Sequence, residues 1–225
     1  MSSNRAYCFN QSPFFRLRSK AKLAKLLYLT LQGLRELSKA ASACYLEREI
    51  YNPEKRKCRK VEIPQYVMET VHDRIKDLMT NIEVPRYIFS PGRGRSTIQN
   101  ALFHQDSLYL YKIDIKKYFP SISKQKIYNF FYFKMNCSKD VAGILAEVTT
   151  YFGHLPTGSP LSPIMSYHVN SDMWEEIYLR TLESDCKLSV WVDDICVSGS
   201  IIPGSLIWDI KKIIHNHDFE YHIEM

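Results

Sequence analysis

The sequence predicts an α+β fold: an antiparallel sheet with helices on one face, preceded by a helical N-terminal segment. Three observations predict it. Runs at residues 108–115, 187–192, 195–198 and 219–225 are rich in aromatic and β-branched residues and read as strands. The stretches between them carry apolar residues at helical spacing. The resulting order, β-α-α-α-ββ-α-β, is not the alternation of a doubly wound sheet and fits helices layered on an antiparallel sheet.

The elements follow in chain order. Residues 19–40 read as a helix, with Ser19 as its cap and Leu23, Leu26, Leu27, Leu31 and Leu34 in one stripe. Residues 53–63 alternate basic and apolar around a turn, with Val61 and Ile63 at strand positions, and Pro64 ends the run. Residues 65–79 read as a helix with Val67, Val71, Ile75 and Leu78 on one face. Pro91-Gly92-Arg93-Gly94-Arg95 is a loop, after which Ser96 caps a helix reaching residue 105. Ser123 and Ser138 cap two more helices, the second striped by Val141, Ile144, Leu145 and Val148. Gly158 to Pro163 is a loop, and Ser162-Pro163 opens one helix that runs to residue 183. Asp193-Asp194 joins two short strands. Residues 205–217 form a helix with Leu206, Ile210, Ile213 and Ile214 inward, and Phe219–Met225 begins a last strand.

Composition narrows the function classes. A chain of 225 residues makes one large domain or two small ones, and 45% hydrophobic content fills a core. Nothing approaches the roughly 18 consecutive apolar residues of a membrane span. Met1-Ser2-Ser3-Asn4-Arg5 leads into no apolar signal region, so a cytoplasmic location is expected. The cysteines Cys8, Cys44, Cys58, Cys137, Cys186 and Cys196 form no C-x-x-C pair and suit reduced thiols rather than zinc ligands or disulfides. The net charge of +6 suits a polyanion partner. Its basic excess lies in the first half, at Arg16 to Lys25, at residues 55–60 (Lys-Arg-Lys-Cys-Arg-Lys), and at Arg93 and Arg95. Solvated helix and loop faces account equally well for any one of these clusters.

The chemistry sits in carboxylates. Alone, Asp193-Asp194 reads as a solvated hairpin tip. Its flanks, Trp191-Val192 and Ile195-Cys196-Val197, are core-forming, and two acids held at the rim of a packed sheet repel each other unless a cation compensates. Asp114 ends another apolar strand and supplies a third acid. Three hard oxygen donors in one place suit magnesium. A pair of such ions about 3.5–4 Å apart can activate a 3′-hydroxyl and stabilise a leaving pyrophosphate. No Gly-x-Ser-x-Gly, P-loop or His-Glu-x-x-His competes.

These residues resemble the reverse transcriptases. Trp191-Val192-Asp193-Asp194 is similar to their Tyr-x-Asp-Asp box. The stretch from Asp114 to Ile122 looks like their first catalytic motif, and Leu155-Pro156-Thr157-Gly158-Ser159-Pro160-Leu161-Ser162-Pro163 looks like the Leu-Pro-Gln-Gly-x-x-x-Ser-Pro motif. The retron-type branch is resembled by Ser12-Pro13-Phe14-Phe15-Arg16-Leu17, by Arg59-Lys60-Val61-Glu62-Ile63-Pro64, by Gly94-Arg95-Ser96 and by Asn100-Ala101-Leu102-Phe103-His104.

The resemblance implies the fingers and palm of a right-hand polymerase. Residues 1–50 would be a helical segment, 51–107 fingers and 108–225 an incomplete palm, with the thumb missing. It implies an RNA-directed DNA polymerase of bacterial retron and defence type. Such an enzyme extends a primer 3′-hydroxyl with deoxynucleoside triphosphates on a structured non-coding RNA and holds the RNA–DNA duplex. Asp114, Asp193 and Asp194 would hold two Mg2+ ions, for which Mn2+ could substitute, and the Ile115 carbonyl would be a further ligand. Phe119 would be the steric gate against a 2′-hydroxyl. Arg59, helped by Arg95, would meet the triphosphate, and Gly158 would admit template or nucleotide close to the backbone. Asn100 and His104 mark the lineage, and a cap or buried hydrogen bond is expected of them before catalysis. An effector protein, or a chain supplying the thumb, would be a further partner. Trp191 in place of Tyr, Thr157 in place of Gln and the early end support the alternative, an RNA-binding or assembly module with little or no catalysis.

Overall fold

The computed structural model describes residues 6–53, 57–92 and 94–222. Arg93, Lys55, Arg56 and the end of the expected last strand lie outside them. The chain divides into two compact units, one from Met1–Glu83 and Ile122–Val169, the other from Val84–Ser121 and Asn170–Met225. Both are discontinuous in sequence, so they do not coincide with the consecutive segments 1–50, 51–107 and 108–225.

The first unit is mostly helical. It contains α1 (Lys20–Leu26), α2 (Leu31–Lys39), a hairpin of β1 (Tyr45–Asn52) and β2 (Lys57–Pro64), and α3 (Tyr66–Thr80). Ser19 and Thr30 cap α1 and α2 by accepting from the Lys22 and Gly33 N–H groups. The single helix expected over 19–40 is therefore two. The cause is a Schellman stop: Tyr28 has a φ of 58°, Leu29 N–H returns to Ala24 C=O at 2.8 Å, and Tyr28 N–H to Lys25 C=O at 3.2 Å. β1 is a strand that the sequence reading left out, as is the later short strand Ile88–Ser90.

The second unit supplies α4 (Thr97–Phe103) between β3 (Ile88–Ser90) and β4 (Tyr109–Lys116). The chain then re-enters the first unit as α5 (Lys124–Asn129), a π-helical turn over Phe130–Lys134, α6 (Lys139–Val148) and α7 (Ser162–Val169). The cap residues Ser96, Ser123 and Ser138 all accept from a backbone N–H of their helix's first turn. Phe14, Leu23, Leu34, Met68, Ile75, Phe131 and Leu145 are fully buried in this first unit.

The second unit is completed by α8 (Ser171–Glu183), β5 (Lys187–Trp191), β6 (Asp194–Gly199), α9 (Gly204–Asn216) and β7 (Glu220–His222). Asn170 breaks the helix expected from Ser162 to 183 into α7 and α8. The five-stranded sheet has the order β3-β5-β6-β4-β7. All neighbours pair antiparallel except β3 and β5, which run parallel, so the sheet is mixed rather than purely antiparallel.

Alternation sorts the two faces of this sheet. Ile113 and Ile115 of β4, Leu188 and Val190 of β5, and Ile195 and Val197 of β6 are buried. They share the unit's core with Trp174 and Ile177 of α8 and Ile210 and Ile214 of α9, also buried. The opposite face carries Lys112, Asp114, Ser189, Asp194, Cys196 and Ser198. α8 and α9 thus share the core of the apolar face, while the end of α4 reaches the other face, where His104 covers Ser189 and Ser198, and the end bearing Asp114 and Asp194 is left polar. Among the described residues no helix is long and apolar enough to cross a membrane.

Candidate active site

Asp114 and Asp194 are register partners across β4 and β6. Residues directly opposite in an antiparallel pair point to the same face with Cβ atoms about 4.5–5.5 Å apart. Trp191 and Asp194 close the β5–β6 hairpin, so Val192 and Asp193 are its two-residue turn. Val192 has a φ of 61°, the sign that a two-residue turn needs at its first central position. The turn is tied down on both sides: Val192 N–H donates to Ser90 C=O at 3.1 Å, and Ile115 N–H donates to Asp193 C=O at 3.0 Å. The sheet thus brings all three acids to one end of three adjacent strands. Asp194 belongs to β6 and only Asp193 to the turn.

An ammonium and an imidazole meet these acids. Lys112 Nζ lies 3.0 Å from Asp194 Oδ1, and His222 Nε2 lies 3.8 Å from Asp114 Oδ2. Among the described residues no three His, Cys, Asp or Glu side chains are gathered to hold a metal ion as they stand. The donor chemistry nevertheless fits a hard divalent cation: three carboxylates at one sheet edge, with one already on an ammonium. Lys112 was not singled out from sequence, though its place two residues before Asp114 puts it on the same face.

The other expected residues fall as follows. Phe119 is half-buried with its ring against Tyr118, and it is Tyr118 that enters the core, touching Trp174 and Phe219. Ile115 has a buried side chain and pairs with Tyr221. Arg95 Nη1 donates to the carbonyls of Pro85 (2.7 Å), Arg86 (3.0 Å) and Ile88, which makes it a brace of its own loop. His104, at the end of α4, is buried and bridges two strands, with Nδ1 2.6 Å from Ser198 Oγ and Nε2 2.7 Å from Ser189 Oγ. Burial lowers its pKa and the nearby Lys187 adds to that, so the ring is neutral at pH 7. Asn100 Oδ1 is buried and finds no hydrogen-bond partner among the described residues.

In the first unit, Arg59 is exposed on β2. The Leu155–Pro163 loop is laced to the same strand. Gly158 N–H donates to Glu62 C=O at 3.1 Å, and a Cβ at Gly158 would stand 2.6 Å from Val61 Cγ1 and 2.7 Å from that carbonyl oxygen. The close approach that this glycine permits is thus to β2. Glu62 is buried, takes Thr157 N–H on Oε2 and lies 3.0 Å from His154 Nε2 through Oε1. Behind the loop, His72 Nδ1 is 2.5 Å from Ser159 Oγ and Nε2 is 2.7 Å from Val148 C=O. Sequence reasoning named neither His72 nor His154, since a lone histidine carries no pattern.

A family model described as reverse transcriptase (RNA-dependent DNA polymerase) matches residues 53–213. The chain belongs to the reverse transcriptase family. Among its relatives, the retron Se72 reverse transcriptase of Salmonella heidelberg (strain 579083-10) is 26% identical over 219 residues, covering 96% of this chain and 57% of that protein. The retron Ec86 reverse transcriptase of Escherichia coli is 20% identical over 206 residues, covering 89% of this chain and 61% of that protein. The chain therefore resembles retron-type members and spans about three fifths of their length. Reverse transcriptase domains in general use divalent metal ions, which agrees with the carboxylate chemistry of this sheet edge.

Proposed function

We propose that this chain carries the catalytic residues of a retron-type RNA-directed DNA polymerase, adding deoxynucleotides to a primer 3′-hydroxyl on a structured non-coding RNA. The observation that carries the reading is the pairing of Asp114 with Asp194 across β4 and β6, with Asp193 in the adjoining turn, inside the segment that the family model matches. Asp114, Asp193 and Asp194 would hold magnesium, with manganese as a substitute and the Ile115 carbonyl as a further donor. When bound, the ions supply activation of the attacking hydroxyl and charge neutralisation at the leaving pyrophosphate.

The chain's own residues do the rest. The hydrogen bonds from Val192 to Ser90 and from Ile115 to Asp193 fix the backbone of the turn, so the chain that carries the acids is held in place before substrate arrives. Phe119, half-buried rather than sunk in the core, keeps a ring edge available to exclude a 2′-hydroxyl. Arg59, exposed on β2, is the cation for the triphosphate.

Primer extension on an RNA template with magnesium tests this. The wild-type chain should extend the primer, and the variant carrying both Asp193→Ala and Asp194→Ala should not. Equal extension by the two would sink the reading. One observation favours an RNA-binding module instead: Thr157 stands where the family has Gln, and its hydroxyl is committed to Lys60 C=O at 3.2 Å. That reading expects salt-sensitive RNA binding in both proteins and extension in neither.

A further inference from the structure

We infer that Lys112 is the built-in counter-ion of Asp194 in the metal-free protein and that a divalent cation must displace it. The inference rests on the reading of Asp114, Asp193 and Asp194 as the metal ligands. It starts from a repulsion. Asp114 and Asp194 are direct register partners, and like charges placed opposite each other on one sheet face destabilise the pair. A metal-free sheet therefore needs a cation at this point.

Lys112 supplies it. The residue lies two positions before Asp114 on β4, so both side chains leave the same face. Its own register partner is Cys196, two positions after Asp194 on β6. The ammonium reaches diagonally along this face and stops 3.0 Å from Asp194 Oδ1, with 39% of the Lys112 side chain and 33% of the Asp194 side chain exposed. His222, at 3.8 Å from Asp114 Oδ2 and more than half exposed, is the weaker second neighbour.

Among the described residues Asp114, Asp193 and Asp194 do not form a ready cation cage, and one Asp194 oxygen lies on the Lys112 ammonium. An Asp194 oxygen on Lys112 is shared with an ammonium that a metal would replace. A divalent cation carries twice the charge and takes several carboxylate oxygens at once, so it wins at sufficient concentration. Lys112 then sets that concentration through competition for Asp194 and through repulsion of the incoming ion. The pair is partly exposed, so the effect is modest, and removing the ammonium should tighten divalent binding by about three- to tenfold.

The test is Mn2+ titration of the intact protein, read by electron paramagnetic resonance of the free ion and by calorimetry, with no nucleic acid present. The proteins are wild type, Lys112→Met, Lys112→Gln, Lys112→Arg and the three single Asp→Asn variants. Lys112→Met keeps most of the stem and loses the charge, and circular dichroism checks its fold. Both neutral variants should bind Mn2+ about three- to tenfold tighter than wild type, and Lys112→Arg should match wild type. A residue needed only for structure would weaken binding on removal, so tightening is diagnostic. If Mn2+ binding depends on the three aspartates but the neutral Lys112 variants bind no more tightly than wild type, the counter-ion role is overturned and the metal site stands. If the Asp→Asn variants bind as wild type does, or wild type binds no Mn2+, the metal site itself fails and the counter-ion role with it.

Discussion

Thr157 and Glu62 hold each other twice: Thr157 N–H donates to Glu62 Oε2 at 3.1 Å, and Glu62 N–H donates to Thr157 Oγ1 at 3.3 Å. This reciprocal pair, with the Gly158 N–H to Glu62 C=O bond, staples the loop to β2. Glu62→Ala would leave the part-buried Thr157 N–H and His154 without their acceptor, so unfolding by denaturant should show a loss of about 1–3 kcal/mol. Glu62→Gln keeps one acceptor and should lose less. An Ala as stable as wild type would show that the staple contributes nothing.

Gly158→Ala probes the same staple from the other side. Its methyl would meet Val61 Cγ1 at 2.6 Å and Glu62 backbone at 2.7 Å, neither a flexible side-chain end. Strand and loop must separate, at a cost of about 1–3 kcal/mol. The same substitution at Gly143, where nothing lies within 4 Å and a helix surrounds it, should be neutral or stabilising. The contrast in denaturation midpoint between the two variants is the readout.

How far the sequence discloses this arrangement depends on whether the signal is local. Serine caps at 19, 96, 123 and 138 are local and start their helices as the pattern expects, and α3, α6 and α9 lie where the apolar spacing puts them, although Val67 of the expected α3 stripe is exposed and Met68 is buried. The stop of α1 is not legible, whereas α8 ends at Glu183 and α9 at Asn216, at or beside the expected residues. Each of the three stops is a Schellman motif whose left-handed residue is Tyr28, Asp185 or Asp218 rather than glycine. β1 escaped because Tyr45–Asn52 places three consecutive charges, Glu47-Arg48-Glu49, in its middle, which breaks any apolar alternation, and its register comes from pairing with β2. The acid pair is half legible. Motif order links Asp114 to Asp194, but only the β4–β6 register sets them opposite each other and brings Lys112 to them. His104 illustrates the same limit, since its serines are 85 and 94 residues away.

His72 and His168 are fully buried, and burial pushes both pKa values down to about 4. Unfolded, each titrates near 6.5. Between these values the unfolded chain binds more protons, so stability is complete above about pH 6.5 and is lost as pH falls towards 4. Each histidine contributes on the order of 3 kcal/mol to this slope. Thermal melts from pH 7.5 to 4.5 should fall steeply in wild type. Replacing His168 by Asn should flatten the fall while lowering the pH 7.5 melt. An unchanged slope would show that His168 is not the titrating group.

Val192 is the strained point of the β5–β6 hairpin. A β-branched residue at a φ of 61° crowds its own backbone, at a cost of about 1–2 kcal/mol. The flanking strands enforce it, because β5 and β6 pair through Trp191 and Asp194 and leave only two residues to turn. Val192→Gly removes the crowding but frees the unfolded chain, so the net gain should be about 0.5–1 kcal/mol, seen as a higher melting temperature. Under the proposed polymerase role the gain should not carry over to catalysis. Asp193 follows Val192 directly, and a glycine there relaxes the turn that sets its carboxylate, so primer extension should slow although the fold is more stable. A variant that gains both stability and rate would show that the crowding serves no purpose at the site.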